Sequence, residues 1–308
     1  MPVSYSAVKS ALITPATLTA ADVVDAITTY VNASGTHWAV KASSAGGVVL
    51  ENDTTNPDVQ PCNVSLRASG TDILIRIDQG ENIASPGGTG SADTSPEVVA
   101  IDMSVGGFDG KFIWIEYEDA VSVFMRNATR NALPEGFQAG NIYESPAHLA
   151  AVGCDGFGIL AGEIDRGTAT GTGKWAGAVS SPENPGAAWR SRIKIGSGPA
   201  PWMLPDTIND GDLYGGVSTG ATSFDAFPVP KPIFLNNYTD GGVTNGDLQP
   251  GTFKYYLNAP VNSIGTGVNL APLVVLPTPT QAYMIANHTP NITDTCVPVE
   301  PGFVASAV

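Results

Sequence analysis

Charge is scarce in this chain. Only 14% of its 308 residues are Asp, Glu, Lys or Arg, against roughly 25% in an ordinary soluble domain. Much of the surface must therefore be neutral or covered by something else. The shortage is worse on the basic side: 14 Lys and Arg stand against 29 Asp and Glu, leaving a net charge of −15. No basic run occurs, which argues against a free nucleic-acid binder, because duplex affinity comes largely from cations neutralising phosphates. Histidine is also rare. His37, His148 and His288 are isolated from one another, and none sits in the two-ligand helical spacing of a metal site. Cys62, Cys154 and Cys296 are odd in number and far apart, which gives neither a disulfide framework nor a metal-ligand pattern. They read as buried free thiols. Long apolar runs are missing as well. Residues 270–276 are broken by Pro272 and bounded by Pro277, far short of the roughly 18 residues a membrane helix needs. The opening Met-Pro-Val-Ser-Tyr-Ser carries no charged leader followed by an apolar block, as expected of a protein made in the cytoplasm.

What is abundant is Gly and Pro, at 35 and 24 residues. Such a share implies turns and irregular walls without reaching the level of a disordered polymer. One helix is legible: Thr19 as cap, then residues 20–32 with Val23, Val24, Ile27, Tyr30 and Val31 on one stripe. Asp22 lies in its first turn and Gly35 beyond its end. After it the period becomes two. Strands are predicted at 37–42, 47–50, 63–68 and 72–78, followed by a Gly/Ser/Thr/Pro-rich loop over 79–97. That loop is long for a compact domain, so it is expected to be mobile or ordered by a neighbour.

The clearest strand signal spans residues 111–126, with Ile113, Ile115 and Tyr117 on one face and Phe112 and Trp114 on the other. A hairpin near Asp119 follows, with damage expected from a charge at Ile115 and mild effects at Glu116. Further short strands are predicted at 157–164, 189–195, 232–235, 253–257 and 273–276. Many short strands without strand-helix alternation mean a mainly β fold with a minor α component: an antiparallel sandwich or barrel. The expected organisation is a helix plus β core over 1–135 and a β-rich, irregular, Pro/Gly-rich assembly region over 136–308. From Gly196 onward Pro is frequent, and extended chain that packs weakly on itself is stable mainly when another surface completes it.

Individual motifs carry little chemistry. Gly216-Val-Ser218-Thr-Gly220 matches the pattern of a hydrolase nucleophile elbow, but no helical periodicity follows the Ser, so a serine hydrolase is only an alternative. Acidic turns around Asp206, Asn209, Asp210 and Asp212, and from Asp240 to Asp247, collect oxygen ligands, yet Ile208 occupies a position an EF-hand loop requires for a ligand. Turn formation explains them. Gly171-Thr-Gly173-Lys174 lacks the preceding Gly and following Ser or Thr of a phosphate loop. Arg190, Arg192 and Lys194 share one strand face and suit an acidic neighbour or a second copy of the chain. Trp175, Trp189, Trp202, Tyr214 and Tyr238 are the aromatics available to the first alternative, a receptor- or glycan-binding module, with serine hydrolase second. No catalytic, metal-binding or cofactor-binding residue is assigned, and no cofactor is expected.

The order of three segments resembles structural proteins of tailed bacteriophages: Gly106-Gly-Phe-Asp-Gly-Lys-Phe-Ile-Trp-Ile-Glu-Tyr117, Val121-Ser-Val-Phe-Met-Arg126 and Gly156-Phe-Gly-Ile-Leu-Ala-Gly162. The resemblance covers about the middle third of the chain. It implies a non-enzymatic virion subunit of tail, neck or baseplate, assembled in the host cytoplasm; the receptor- or glycan-binding alternative would sit on the virion exterior. Its partners would be other virion proteins and copies of itself, without sequence-specific nucleic-acid binding or membrane insertion.

Overall fold

The computed structural model describes residues 8–57, 59–91, 94–105, 107–127, 134–144, 157–163, 192–194, 202–203, 229–235, 239–240, 243–244, 248–259, 275–277, 281–289 and 292–304. Strand β1 (Lys9–Ile13) leads into helix α1 (Ala20–Ser34). Next come β2 (Trp38–Ser44), β3 (Gly47–Asn52), β4 (Cys62–Ser69), β5 (Asp72–Gln79) and β6 (Val98–Asp102). These five form one antiparallel meander in chain order.

The chain then builds β7 (Phe108–Glu116), β8 (Ala120–Asn127), β9 (Pro134–Glu144), β10 (Phe157–Glu163), β11 (Arg192–Lys194), β12 (Trp202–Met203) and β13 (Val229–Leu235). After the small hairpin of β14 (Thr239–Asp240) and β15 (Val243–Thr244) come β16 (Leu248–Ala259), β17 (Val275–Pro277), β18 (Ala282–Thr289) and β19 (Ile292–Val299). Apart from β14 and β15 they join β1 in a twelve-stranded sheet, ordered β1-β7-β8-β9-β16-β19-β18-β17, with β10 to β12 branching from β9 and β13 from β16. The mainly β, antiparallel expectation is met as a sandwich-like pair of open sheets, not a closed barrel.

Helix α1 begins where Thr19 Oγ1 accepts the Asp22 N–H at 3.1 Å, a cap that satisfies one otherwise orphaned donor. The Asp22 carboxylate in turn takes the hydroxyls of Thr17 and Thr19, which hold it below its ordinary pKa. The helix ends at Gly35, whose N–H donates to the Val31 carbonyl at 2.9 Å. Glycine is required there by crowding: a Cβ would sit 2.6 Å from the carbonyl oxygens of both Val31 and Trp38.

The apolar stripe Ala20, Val23, Val24, Ile27 and Val31 is buried. It meets Val48 and Leu50 of β3, Cys62, Val64 and Leu66 of β4, and Ile73, Ile75 and Ile77 of β5. The same core takes Phe112, Trp114, Val121, Val123, Met125, Phe137 and Ala139 from the larger sheet. Each such side chain taken fully out of water contributes about 1.5–3 kcal/mol, which makes this shared cluster the main tie between the two sheets.

The second face of the five-stranded sheet is polar. In the β4–β5 register Asn63 opposes Asp78 and Ser65 opposes Arg76, yet Asn63, Ser65 and Asp78 are buried. The segment expected to be mobile or ordered by a neighbour covers them. Asn63 Oδ1 accepts the Ile83 N–H at 3.2 Å, Ser65 Oγ the Gly87 N–H at 3.0 Å, and Ser95 Oγ the Ile77 N–H at 2.9 Å. Ile83 is fully buried. The chain's own polar face therefore orders this loop, a correction of the expectation.

The hairpin near Asp119 is present, its turn closed by Tyr117 N–H to Ala120 O at 2.9 Å. Both of its faces are buried: Ile113 and Ile115 on one, Phe112 and Trp114 on the other, and Glu116 as well, which corrects the expectation of mild effects at Glu116. Several described residues of the C-terminal region are buried within the chain itself. Tyr255, Leu257, Ala282, Tyr283, Met284, Cys296, Val297 and Val299 are buried, and β16 pairs with β9, β13 and β19. Strand β13 carries Pro230 and Pro232 and, among the described residues, pairs with β16 alone, as expected of an edge strand. Strand β1 meets the residue that follows β19: Lys9 Nζ lies 3.1 Å from Glu300 Oε1, and the Glu300 N–H donates to Ser10 Oγ at 3.0 Å.

Candidate functional site

The residues that stand out are three buried carboxylates, each set at the end of an apolar strand or in the turn beside it. Asp78 is the penultimate residue of β5, Glu116 closes β7, and Asp119 lies in the hairpin turn; each is at most 1% exposed. A buried carboxylate must be hydrogen-bonded or paired to remain charged, so its partners define its role.

Asp78 gathers the covering loop. Its Oδ1 accepts the side-chain amide of Asn82 at 2.8 Å, and Oδ2 accepts the N–H and hydroxyl of Ser91 at 3.1 and 3.0 Å, as well as the Thr94 hydroxyl. Burial alone would raise its pKa; the donors from Thr94, Asn82 and Ser91 outweigh that and hold it below the ordinary carboxylate value. On the same face of the sheet, Arg67 grips Glu97 with two bonds, Nε to Oε1 at 2.7 Å and Nη2 to Oε2 at 2.5 Å, the planar fork that suits a carboxylate.

Glu116 fastens the larger sheet to the link between α1 and β2. Its Oε2 accepts the N–H groups of Thr36 and His37 at 3.0 and 3.2 Å, and Oε1 accepts the indole N–H of Trp114 at 3.0 Å. One residue on, the Tyr117 carbonyl accepts the Trp38 indole N–H at 2.8 Å.

Asp119 binds the hairpin tip to β16. Along one edge β16 pairs with β9 at residues 251–253 and with β19 at 257–259. Between those pairings, Lys254 makes an ion pair with Asp119, and the Tyr255 hydroxyl donates to Asp119 Oδ1 at 2.5 Å. The Tyr117 and Tyr255 rings stack with centroids 3.8 Å apart, and the Tyr117 hydroxyl donates to the Pro298 carbonyl at 3.0 Å.

Among the sequence candidates, His37 contributes its backbone N–H to Glu116 and keeps a half-exposed ring. Cys62 and Cys296 are buried; burial pushes the Cys62 thiol well above its ordinary pKa. His288, Arg192, Lys194 and Trp202 lie on described strands, and Asp240 forms part of β14. Ser218, His148, Cys154, Arg190, Trp175, Trp189, Tyr214, Tyr238, the 171–174 segment, the turn around Asp206, Asn209, Asp210 and Asp212, and Asp247 lie outside the described residues. No group of three or more His, Cys, Asp or Glu able to hold a metal ion occurs among the described residues.

The three carboxylates were not singled out as sites by the sequence. The available signal was an acidic residue embedded in an apolar strand, as in Phe112-Ile-Trp-Ile-Glu116 and Ile73-Leu-Ile-Arg-Ile-Asp78. No protein-family model and no curated protein matches the chain.

Proposed function

We propose that the chain is a non-enzymatic structural subunit of a tailed-virus particle, working through contacts with other virion proteins and with copies of itself in tail, neck or baseplate. The observation that carries this reading is the use made of its buried acids. Asp78, Glu116 and Asp119 tie loop to sheet, sheet to helix link, and hairpin to distant strand. Their oxygens hold donors of the chain itself, an arrangement that stiffens a framework. The low charge content and the resemblance of the 106–162 segments to phage structural proteins point the same way.

The test is composition of intact particles. Purified virions of the source virus, washed at high salt and separated by sedimentation, should contain the chain in stoichiometric amount by quantitative mass spectrometry. Its absence from particles, or its presence only in the soluble lysate fraction, would refute the proposal.

A further inference from the structure

We propose that Lys254 and Asp119 form a covalent amide cross-link, which joins β16 to the tip of the β7–β8 hairpin. The two side chains already form an ion pair, from elements 135 residues apart in sequence. Asp119 has a side chain only 2% exposed, while that of Lys254 is 24% exposed. The stacked rings of Tyr117 and Tyr255 wall the site, both residues being buried at 1% and 7% exposure. The Lys254 ammonium nitrogen lies 5.6 Å from the Tyr255 ring centroid.

Such a setting supplies what amide formation between side chains needs. Fixed juxtaposition turns a bimolecular condensation into an intramolecular one, where effective concentrations are very high. The Tyr255 hydroxyl, 2.5 Å from Asp119 Oδ1, is a hydrogen-bond donor aimed at an oxygen of the reacting carboxyl, where negative charge develops in a tetrahedral intermediate.

The step balances without any co-reactant. A proton passes from the Lys254 ammonium to the Asp119 carboxylate, giving a neutral amine and a carboxylic acid. The Nζ lone pair attacks Cγ, and the C–N bond forms while Oδ1 is held by Tyr255. The bond from Cγ to Oδ2 then breaks, and that oxygen leaves as water with two of the three ammonium protons. One N–H remains on the new amide, and nothing is oxidised or reduced.

The bond would form within the isolated chain, whatever assembly the protein enters. Intact-mass measurement of the denatured full-length protein tests it. The wild type should weigh less than its sequence by one water molecule, and proteolysis should release a branched peptide joining the segments around Asp119 and Lys254. Lys254→Arg, which retains the charge, and Asp119→Ala should both show the full sequence mass; because mass is read on unfolded chains, either variant is informative even if it folds poorly. Full sequence mass in the wild type after prolonged incubation of folded protein would overturn the proposal. So would a water loss that persists in both variants or maps elsewhere.

Discussion

Glu116 offers the sharpest perturbation. Replacing it with Ala removes an acceptor from the N–H groups of Thr36 and His37 and from the Trp114 indole, at 3.0, 3.2 and 3.0 Å. Trp114 is fully buried, so its indole N–H loses its partner where water cannot replace it, at about 1–3 kcal/mol. Thr36 is exposed and His37 half-exposed, so their amides can be rehydrated; losing charge-assisted bonds there adds about 1–2 kcal/mol. The expected loss is therefore about 3 kcal/mol. The control is Glu118→Ala: Glu118 lies at the hairpin tip, half-exposed, with Asn56 3.5 Å away, and surface changes of this kind usually fall within about 0.5 kcal/mol. Urea denaturation followed by tryptophan fluorescence gives both midpoints. Equal stability of the two variants would mean that Glu116 is not anchoring the α1–β2 link.

Three other outcomes are expected. Gly140→Ala should abolish or severely weaken folding, because Gly140 has φ of 142° and a Cβ there would collide with the Asp119 carbonyl oxygen and lie 2.5 Å from Ala120 Cα; a thermal midpoint within a degree or two of wild type would contradict the β8–β9 register. Asp78→Asn should destabilise the protein by about 2 kcal/mol at neutral pH. Because the folded-state pKa of Asp78 is lowered, that advantage is present above the unfolded value near about 4 and is lost as pH falls below it; a gap between wild type and variant that persists undiminished at pH 2 would refute the assignment. Burial, with a smaller contribution from Cys296, pushes the Tyr283 hydroxyl up to about 12. Its folded state thus favours the neutral phenol, and stability should fall between the unfolded value of about 10 and about 12; a Tyr283→Phe variant with an unchanged alkaline limb would exclude Tyr283 as the cause.

Helix α1, the strands between residues 38 and 79 and the β7–β8 hairpin were legible because local pattern and tertiary role agree. Thr19, Asp22 and Gly35 bracket a single apolar stripe, and Ile73, Ile75 and Ile77 alternate strictly against one core. Strand β1 and strands β6, β9, β18 and β19 escaped notice. Lys9–Ile13 carries no alternation of its own and is a strand because it pairs with β7 along its full length. In β9, Gly136 and Gly140 interrupt any apolar period, and they are there because β8 backbone passes too close for a Cβ.

The sequence by itself determined the class of fold. Low charge, Gly and Pro punctuation and a period of two leave no other way to bury the apolar residues than antiparallel sheets with a single helix. Tertiary structure alone decided the fate of the polar groups. Period-two alternation tells which residues share a face, but not what covers that face. The polar side of β4 and β5 looks solvent-facing in sequence, yet is roofed by residues 82–91 because Asn63, Ser65 and Asp78 provide acceptors for that segment's donors. Glu116 looks like a surface acid until the α1–β2 link places two N–H groups on it. Asp119 and Lys254 lie too far apart in sequence for any local pattern to connect them; only the notch between β9 and β19 along β16 brings them together. Such long-range pairing is set by how strands are ordered in space, and the hydrophobic period constrains that order only through the faces it creates.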